Sequence, residues 1–246
     1  VPIVRSIRLH PIKAFDAADV PEAGVLASGA FELDRRWAFV DGRGRFVNGK
    51  NRPEVHAIRA TYDLASLEVA LGGRTYSLER QRAELERWLS DWLGEPVELL
   101  ENRDVGFPDD QDATGPTFVA ASSLALVSRW FDLPEEETRR RFRTNVEIEG
   151  TEPFWEDRLY GSPFRVGDVL VRAVNPCRRC VVPSRDPRTG EAIPSFQKRF
   201  AQLREASLPA AANRAFFDHF YRFAVNTRIP PSEAGKTIRL GHEMML

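Results

Sequence analysis

Cysteine is nearly absent from this chain: 246 residues carry only Cys177 and Cys180. Two cysteines build no disulfide framework, and nothing near the N-terminus has the pattern of a signal peptide. Both thiols are therefore expected to be reduced, in a cytoplasmic protein. Lysine is scarce as well. Among 35 basic residues only Lys13, Lys50, Lys198 and Lys236 are lysines, so any anion recognition falls mainly to arginine. No apolar run approaches the ~18 residues of a spanning helix, and no membrane partner is expected. The formal net charge of −1 gives no reason to expect nonspecific nucleic-acid binding.

Familiar catalytic signatures are missing too. There is no glycine-rich dinucleotide loop, P-loop, nucleophile elbow or His-Glu-x-x-His helix. Gly42 and Gly44 stand in a hairpin-like segment without the following helix that phosphate cradling needs. An enzyme built from side chains alone is hard to propose, whereas a bound cofactor would bring its own reactive centre. The length suits one large or two modest domains, and 42% hydrophobic with 29% charged residues is ordinary for a globular protein.

Residues 1–76 read as β-rich. Apolar residues alternate over 3–9, segments 36–40 and 45–47 flank the turn Asp41-Gly42-Arg43-Gly44, and 62–71 faces a return strand at 74–77. A helix is expected over about 81–93, with Leu85, Trp88, Leu89 and Trp92 on one core-facing side and Gly94 as its stop. Residues 102–116 read as a linker, and Asp109, Asp110 and Asp112 as a solvated loop, not a metal site. A strand at 117–120 precedes a helix capped by Ser122 or Ser123 and ending near Phe131. A second helix follows Pro134, with Glu135, Glu136 and Glu137 suited to the positive end of its dipole. Strands are expected near 146–148 and 168–174, helices near 195–206 and 213–223, and a last strand near 237–240.

The second of those strands leads into Asn175-Pro176-Cys177-Arg178-Arg179-Cys180. Thiolate is the form of cysteine that binds metals or attacks, and neighbouring arginines stabilise it. Their guanidinium forks also fit phosphate. A soft sulfur beside a phosphate-binding surface suits a metal carried on a phosphorylated organic cofactor. Zinc needs about four ligands, and there is no second cysteine pair, while His10, His56, His219 and His242 are scattered singly; each reads as a surface or core residue. A thioredoxin-type dithiol opens a helix, whereas Val181-Val182-Pro183 follows here. Two buried, inert cysteines at a strand end stand as an equal reading on these grounds alone.

The order of motifs extends this reading. Pro11-Ile12-Lys13, Asp34-Arg35-Arg36-Trp37, Thr114-Gly115-Pro116, Arg141-Phe142-Arg143-Thr144-Asn145, Gly167-Asp168 and the cysteine segment with Asp186-Pro187-Arg188-Thr189-Gly190 follow one another along the chain. In this order the chain resembles a MOSC (molybdenum cofactor sulfurase C-terminal) domain protein with its N-terminal β-barrel partner domain. It is closest in kind to the branch of mitochondrial amidoxime-reducing components and their bacterial relatives. The resemblance implies an α+β fold: a smaller β-rich, barrel-like N-terminal domain over residues 1–102 and a β-barrel-rich MOSC domain with peripheral helices over 103–246. It implies a bound molybdenum cofactor, a pterin dithiolene with a phosphate tail. Cys180 matches the metal ligand and catalytic thiolate, with Cys177 a supporting thiol. Lys13, Arg35, Thr114, Arg143, Asn145, Arg178 and Arg179 match or neighbour the residues that anchor the cofactor.

The activity implied is reduction of small N-hydroxylated compounds, N–OH to N–H, with the alternative of a non-catalytic carrier of cofactor or sulfur. Neither a membrane-anchoring N-terminus nor a fused ferredoxin module is seen, so electrons are expected from separate flavin or iron–sulfur reductases. Two positions depart from the pattern. Ala14 and Gly115 stand where relatives offer hydroxyl groups, which would weaken or re-register phosphate binding unless backbone N–H groups take over.

Overall fold

The computed structural model describes residues 1–246. Its N-terminal half runs β1 (Ile3–Leu9), β2 (Ala18–Val20), β3 (Glu22–Gly24), β4 (Trp37–Asp41), β5 (Ala60–Asp63), β6 (Glu68–Leu71), β7 (Arg74–Ser77), α1 (Arg82–Leu93) and β8 (Val97–Glu101). The rest runs β9 (Phe118–Ala120), α2 (Ala121–Phe131), α3 (Glu135–Phe142), β10 (Val146–Glu149), β11 (Pro163–Val166), β12 (Val169–Arg178), α4 (Phe196–Ala206), β13 (Arg222–Arg228), β14 (Thr237–Arg239) and β15 (Met244–Met245). No helix is long and apolar enough to cross a membrane.

Strand β1 ties the two halves together. It buries Val4, Ile7 and Leu9, a set that strict alternation from Ile3 would not give. A bulge between Val4 and Ser6 shifts the register against β10 and turns Val4 inward. An eight-stranded sheet follows, in the order β15-β11-β12-β13-β9-β10-β1-β2. All its pairings are antiparallel except that of β9 with β10. Its core joins Val4, Ile7, Leu9 and Phe31 to Phe118, Val146, Val171 and Val225. Residues from both ends of the sequence thus share one interior. Phe118 meets Phe164 edge-on at 5.4 Å, and truncating such a buried ring costs about 3–5 kcal/mol.

A second core gathers Ile12, Phe15, Trp37, Phe39, Leu85, Leu89 and Leu99 beneath the β4–β8 pair and the β5-β6-β7 sheet. A third, rich in aromatics, packs Phe131, Phe142, Phe154, Phe196, Phe200 and Phe223 between α2, α4 and the large sheet. Segments 1–102 and 103–246 therefore interlock through β1 and β2, which sit in the large sheet beside β10.

Several local expectations need correction. Segment 62–71 is a hairpin of β5 and β6, because Leu67 adopts a left-handed φ of 54°. Segment 45–47 makes only a bridge, Val40 to Phe46. Neither Ser122 nor Ser123 caps α2, whose N-cap is Ala120. Ser123 is buried instead; it donates to Glu156 at 2.9 Å and accepts the Phe154 N–H at 2.6 Å. The helix expected at 213–223 is a single 3-10 turn, Arg214–Phe216, followed by β13. Asn213 accepts the Ala215 N–H, closing that turn locally. Helix α1 ends at Gly94 with φ 68° as anticipated, but Trp92 lies 49% exposed, stacked on the half-buried Trp88 at 5.9 Å.

Candidate functional site

Strand β12 ends in an irregular stretch because its ladder with β13 slips twice, between Ala173 and Asn175 and between Pro176 and Arg178. Proline donates no ladder hydrogen bond, so Pro176 belongs at such a bulge. The bulges hand the chain into a cleft of about 590 Å³ between the large sheet and the loops of the second core. All eight residues singled out in the sequence line it: Lys13, Arg35, Thr114, Arg143, Asn145, Arg178, Arg179 and Cys180.

On the sulfur side both cysteines are free and half-buried. The Tyr221 hydroxyl donates to the Cys180 carbonyl at 3.0 Å, fixing the backbone while no hydrogen bond engages its sulfur. Arg179 turns inward. Its Nη1 donates to the Cys177 sulfur at 3.1 Å, its Nη2 to the Phe142 carbonyl, and its guanidinium lies 5.5 Å from the Phe142 ring centre. Burial works against its charge, yet the two cysteine sulfurs outweigh burial and hold its pKa above the ordinary arginine value. Arg178 points outward and pairs with Asp218.

The basic side is built on strained backbone. Ala14, Arg35 and Arg143 all have positive φ, at 74°, 52° and 53°, where a residue other than glycine costs of order 1 kcal/mol or more. Arg143 is the C-cap residue of α3, and no hydrogen bond or counter-ion engages its guanidinium. Burial, then the like charge of Arg35, brings it to about 10, which leaves it a full cation at neutral pH. Arg35 pairs with Asp34. Lys13 Nζ donates to the Phe107 carbonyl at 2.8 Å and to Asp109 at 2.7 Å. Burial lowers the Lys13 ammonium below the usual lysine value, against the pull of Asp109.

The segment expected to be a linker is part of this wall. Gly106, at φ 66°, lets the chain pass the carbonyls of Asp34 and Arg35, which a Cβ would meet at 2.6 and 2.8 Å. Asp109 sits on Lys13, and Asp110 accepts from Asn226 at 3.0 Å. Only Asp112 behaves as the solvated acid expected, with its side chain 92% exposed. Thr114 donates to the Ser28 carbonyl at 2.6 Å and keeps its lone pairs for a ligand. Asn145 has little left to offer. Its amide donates to the Arg8 carbonyl and accepts from the Thr117 N–H and hydroxyl, so it positions β1, β9 and β10 around the cleft.

Gly115 has a steric reason in this chain. A Cβ there would lie 2.6 Å from Thr227 Oγ1 and 2.8 Å from the Thr227 carbonyl, which accepts the Gly115 N–H at 3.0 Å. His10 was undervalued by sequence reasoning. It lines the cleft and is buried, with both ring nitrogens lacking partners. Burial, followed by the charges of Arg143, Arg35 and Arg8, holds it well below the ordinary histidine pKa and therefore neutral. Its place directly before Pro11-Ile12-Lys13 was the available signal.

The MOSC N-terminal beta barrel domain matches residues 1–91, and the MOSC domain matches residues 116–242, more than half of the chain. The chain belongs to the MOSC domain family. Within its MOSC domain lie Arg143, both cysteines and the bulged end of β12; within the N-terminal barrel domain lie Lys13 and Arg35. The cleft is therefore lined from both matched regions.

Molybdenum cofactor sulfurase of Drosophila erecta is 24% identical over 265 residues, covering 94% of this chain but 32% of that protein. The chain thus spans about a third of the length of the curated sulfurase it matches. Mitochondrial amidoxime-reducing component 1 of Danio rerio is 24% identical, covering 77% of this chain and 70% of that protein. Among solved structures, the YUAD protein from Bacillus subtilis covers 99% of this chain at 10% identity and a TM-score of 0.44. That likeness is too slight to bear on function, and the family assignment rests on the sequence matches.

Proposed function

We propose that the cleft binds a molybdenum cofactor and that the protein reduces small N-hydroxylated compounds. The observation that carries this reading is the pairing of an unengaged guanidinium, Arg143, with an unengaged sulfur, Cys180, on the walls of one 590 Å³ cleft. The donor set fits the group. Thiolate is soft enough for molybdenum, while Arg143, Arg35, Lys13 and Thr114 supply cationic and hydroxyl donors for a phosphate tail. Relatives named for the molybdenum cofactor and for amidoxime reduction support the same reading.

When bound, the cofactor would supply the two-electron exchange that N–OH reduction requires. The protein's own residues do the rest. Cys180, its backbone pinned by Tyr221, would hold the metal, and Arg179 fixes Cys177 close by. Arg143 and Arg35 would hold the anionic end, and neutral His10 lines the same cleft without adding a further positive charge. Electrons would come from a separate flavin or iron–sulfur reductase. Turnover of benzamidoxime or a simple hydroxylamine with an artificial electron donor tests this reading, and activity equal in wild type and Cys180→Ser would remove it.

A second reading is favoured by one observation: the sulfurase relative matches 94% of this chain. On that reading the MOSC domain carries sulfur or cofactor for another protein, and Cys180 bears a persulfide. Mass spectrometry of the intact protein would show a 32-Da adduct lost on reduction and absent in Cys180→Ser, without turnover of N-hydroxylated compounds.

A further inference from the structure

The cleft already contains an anion of its own. Asp109 Oδ1 accepts from Lys13 Nζ at 2.7 Å, with the Asp109 side chain 70% exposed and that of Lys13 only 10% exposed. A carboxylate thus reaches from the mouth of the cleft onto an ammonium sunk in its wall. Desolvation opposes the Asp109 charge, but Lys13, then Arg35 and Lys50, overrides it and holds the carboxyl well below its ordinary range. Lys13 also donates to the Phe107 carbonyl, so it stays anchored if Asp109 leaves. The loop is fixed on either side of Asp109. The Phe107 N–H donates to the Arg35 carbonyl at 2.8 Å, and Asp110 holds Asn226. Asp109 itself touches Lys13 only through its side chain.

We propose that Asp109 is a built-in competitor for the anionic ligand of the cleft and sets the charge a ligand must bring. The proposal rests on the cleft being the anion site of the cofactor. A monoanion gains little by replacing one carboxylate with another on Lys13. A phosphate dianion gains more, because it also satisfies Arg143, which Asp109 does not hydrogen-bond. Exchange of this kind favours phosphorylated ligands over carboxylates and keeps Lys13 neutralised when no ligand is present.

The test is calorimetric titration of inorganic pyrophosphate, at fixed ionic strength, into wild type, Asp109→Asn, Asp109→Ala, Asp112→Asn and Lys13→Met, each checked for folding by circular dichroism. Both Asp109 variants are expected to bind about tenfold more tightly than wild type, from loss of a charged hydrogen-bond competitor. Asp112→Asn is expected to stay within about twofold, since it removes a similar charge of the same loop that neither lines the cleft nor touches Lys13. Lys13→Met is expected to bind more weakly. Acetate should compete with pyrophosphate in the Asp109 variants and not in wild type. Unchanged or weaker binding in both Asp109 variants overturns the proposal, as does an equal gain in Asp112→Asn or equal acetate competition in wild type. Pyrophosphate binding by none of the proteins would instead overturn the reading of the cleft as a cofactor site, and the proposal with it.

Discussion

Arg179 Nη1 lies 3.1 Å from the Cys177 sulfur, and the other arm of its fork donates to the Phe142 carbonyl. One arginine therefore ties the first thiol to the aromatic core and leaves the second, Cys180, unengaged at its sulfur. The two cysteines differ in setting: the Cys177 sulfur is held by Arg179, and the Cys180 sulfur lines the cleft with no hydrogen bond.

Arg179→Lys keeps the charge but loses the planar fork, so only one of the two contacts survives. The expected loss is about 1–3 kcal/mol of stability, because the Phe142 carbonyl or the sulfur is left without its donor. Urea denaturation of the two proteins side by side measures it.

Arg143→Gln should behave in the opposite way. The guanidinium makes no bond within the chain and is repelled by Arg35, so its removal is expected to leave the melting temperature unchanged or raised. Cofactor retained through purification should fall at least tenfold, the loss of one charged hydrogen bond of about 1.5–3 kcal/mol. Thermal melting and pterin fluorescence after oxidative release report the two quantities separately.

Gly115→Ser adds a hydroxyl to the wall of the cleft, yet it should not strengthen binding. Its Cβ would press on Thr227 Oγ1 and on the Thr227 carbonyl, at 2.6 and 2.8 Å. Overpacking of this kind costs about 1–3 kcal/mol, and the result is expected as a lowered melting temperature.

Glu156 gives a pH signature away from the cleft. Burial, then the neighbouring Asp157 charge, pushes its carboxyl up to about 8, while Asp157 pairs with the buried Arg204 at 2.5 Å. A raised carboxyl binds protons in the folded state that the unfolded state has already released. Its favourable contribution is therefore complete at acidic pH and is lost as pH rises from the unfolded carboxylate value through about 8. Glu156→Gln should flatten that fall, so its stability relative to wild type increases from pH 5 to pH 8. Chemical denaturation across this range checks it.

Local patterns carried much of the fold. Helix α1, with Leu85 and Leu89 buried, and its Gly94 stop were legible, as were the acid-rich start of α3 and the strand running into Cys177. Segment 213–223 misled because Phe216 and Phe217 pack on Tyr160, a contact between distant residues that local spacing cannot encode. The same limit applied in the cleft. The motif residues could be named in order, but the grip of Asp109 on Lys13, the isolation of His10 and the steric demand at Gly115 depend on segments far apart in sequence. Asn145 shows the converse: the motif is there, yet its amide is consumed by Arg8 and Thr117.

On the proposed reading, Cys180 holds molybdenum in this cleft. Molybdenum per protein, measured by elemental analysis on wild type and Cys180→Ser purified from a cofactor-producing host, tests it most directly. Molybdenum approaching one per chain is expected in the wild type, with a marked loss or an altered metal spectrum in Cys180→Ser. Wild-type protein without molybdenum, or equal content with an identical spectrum in the variant, would contradict it.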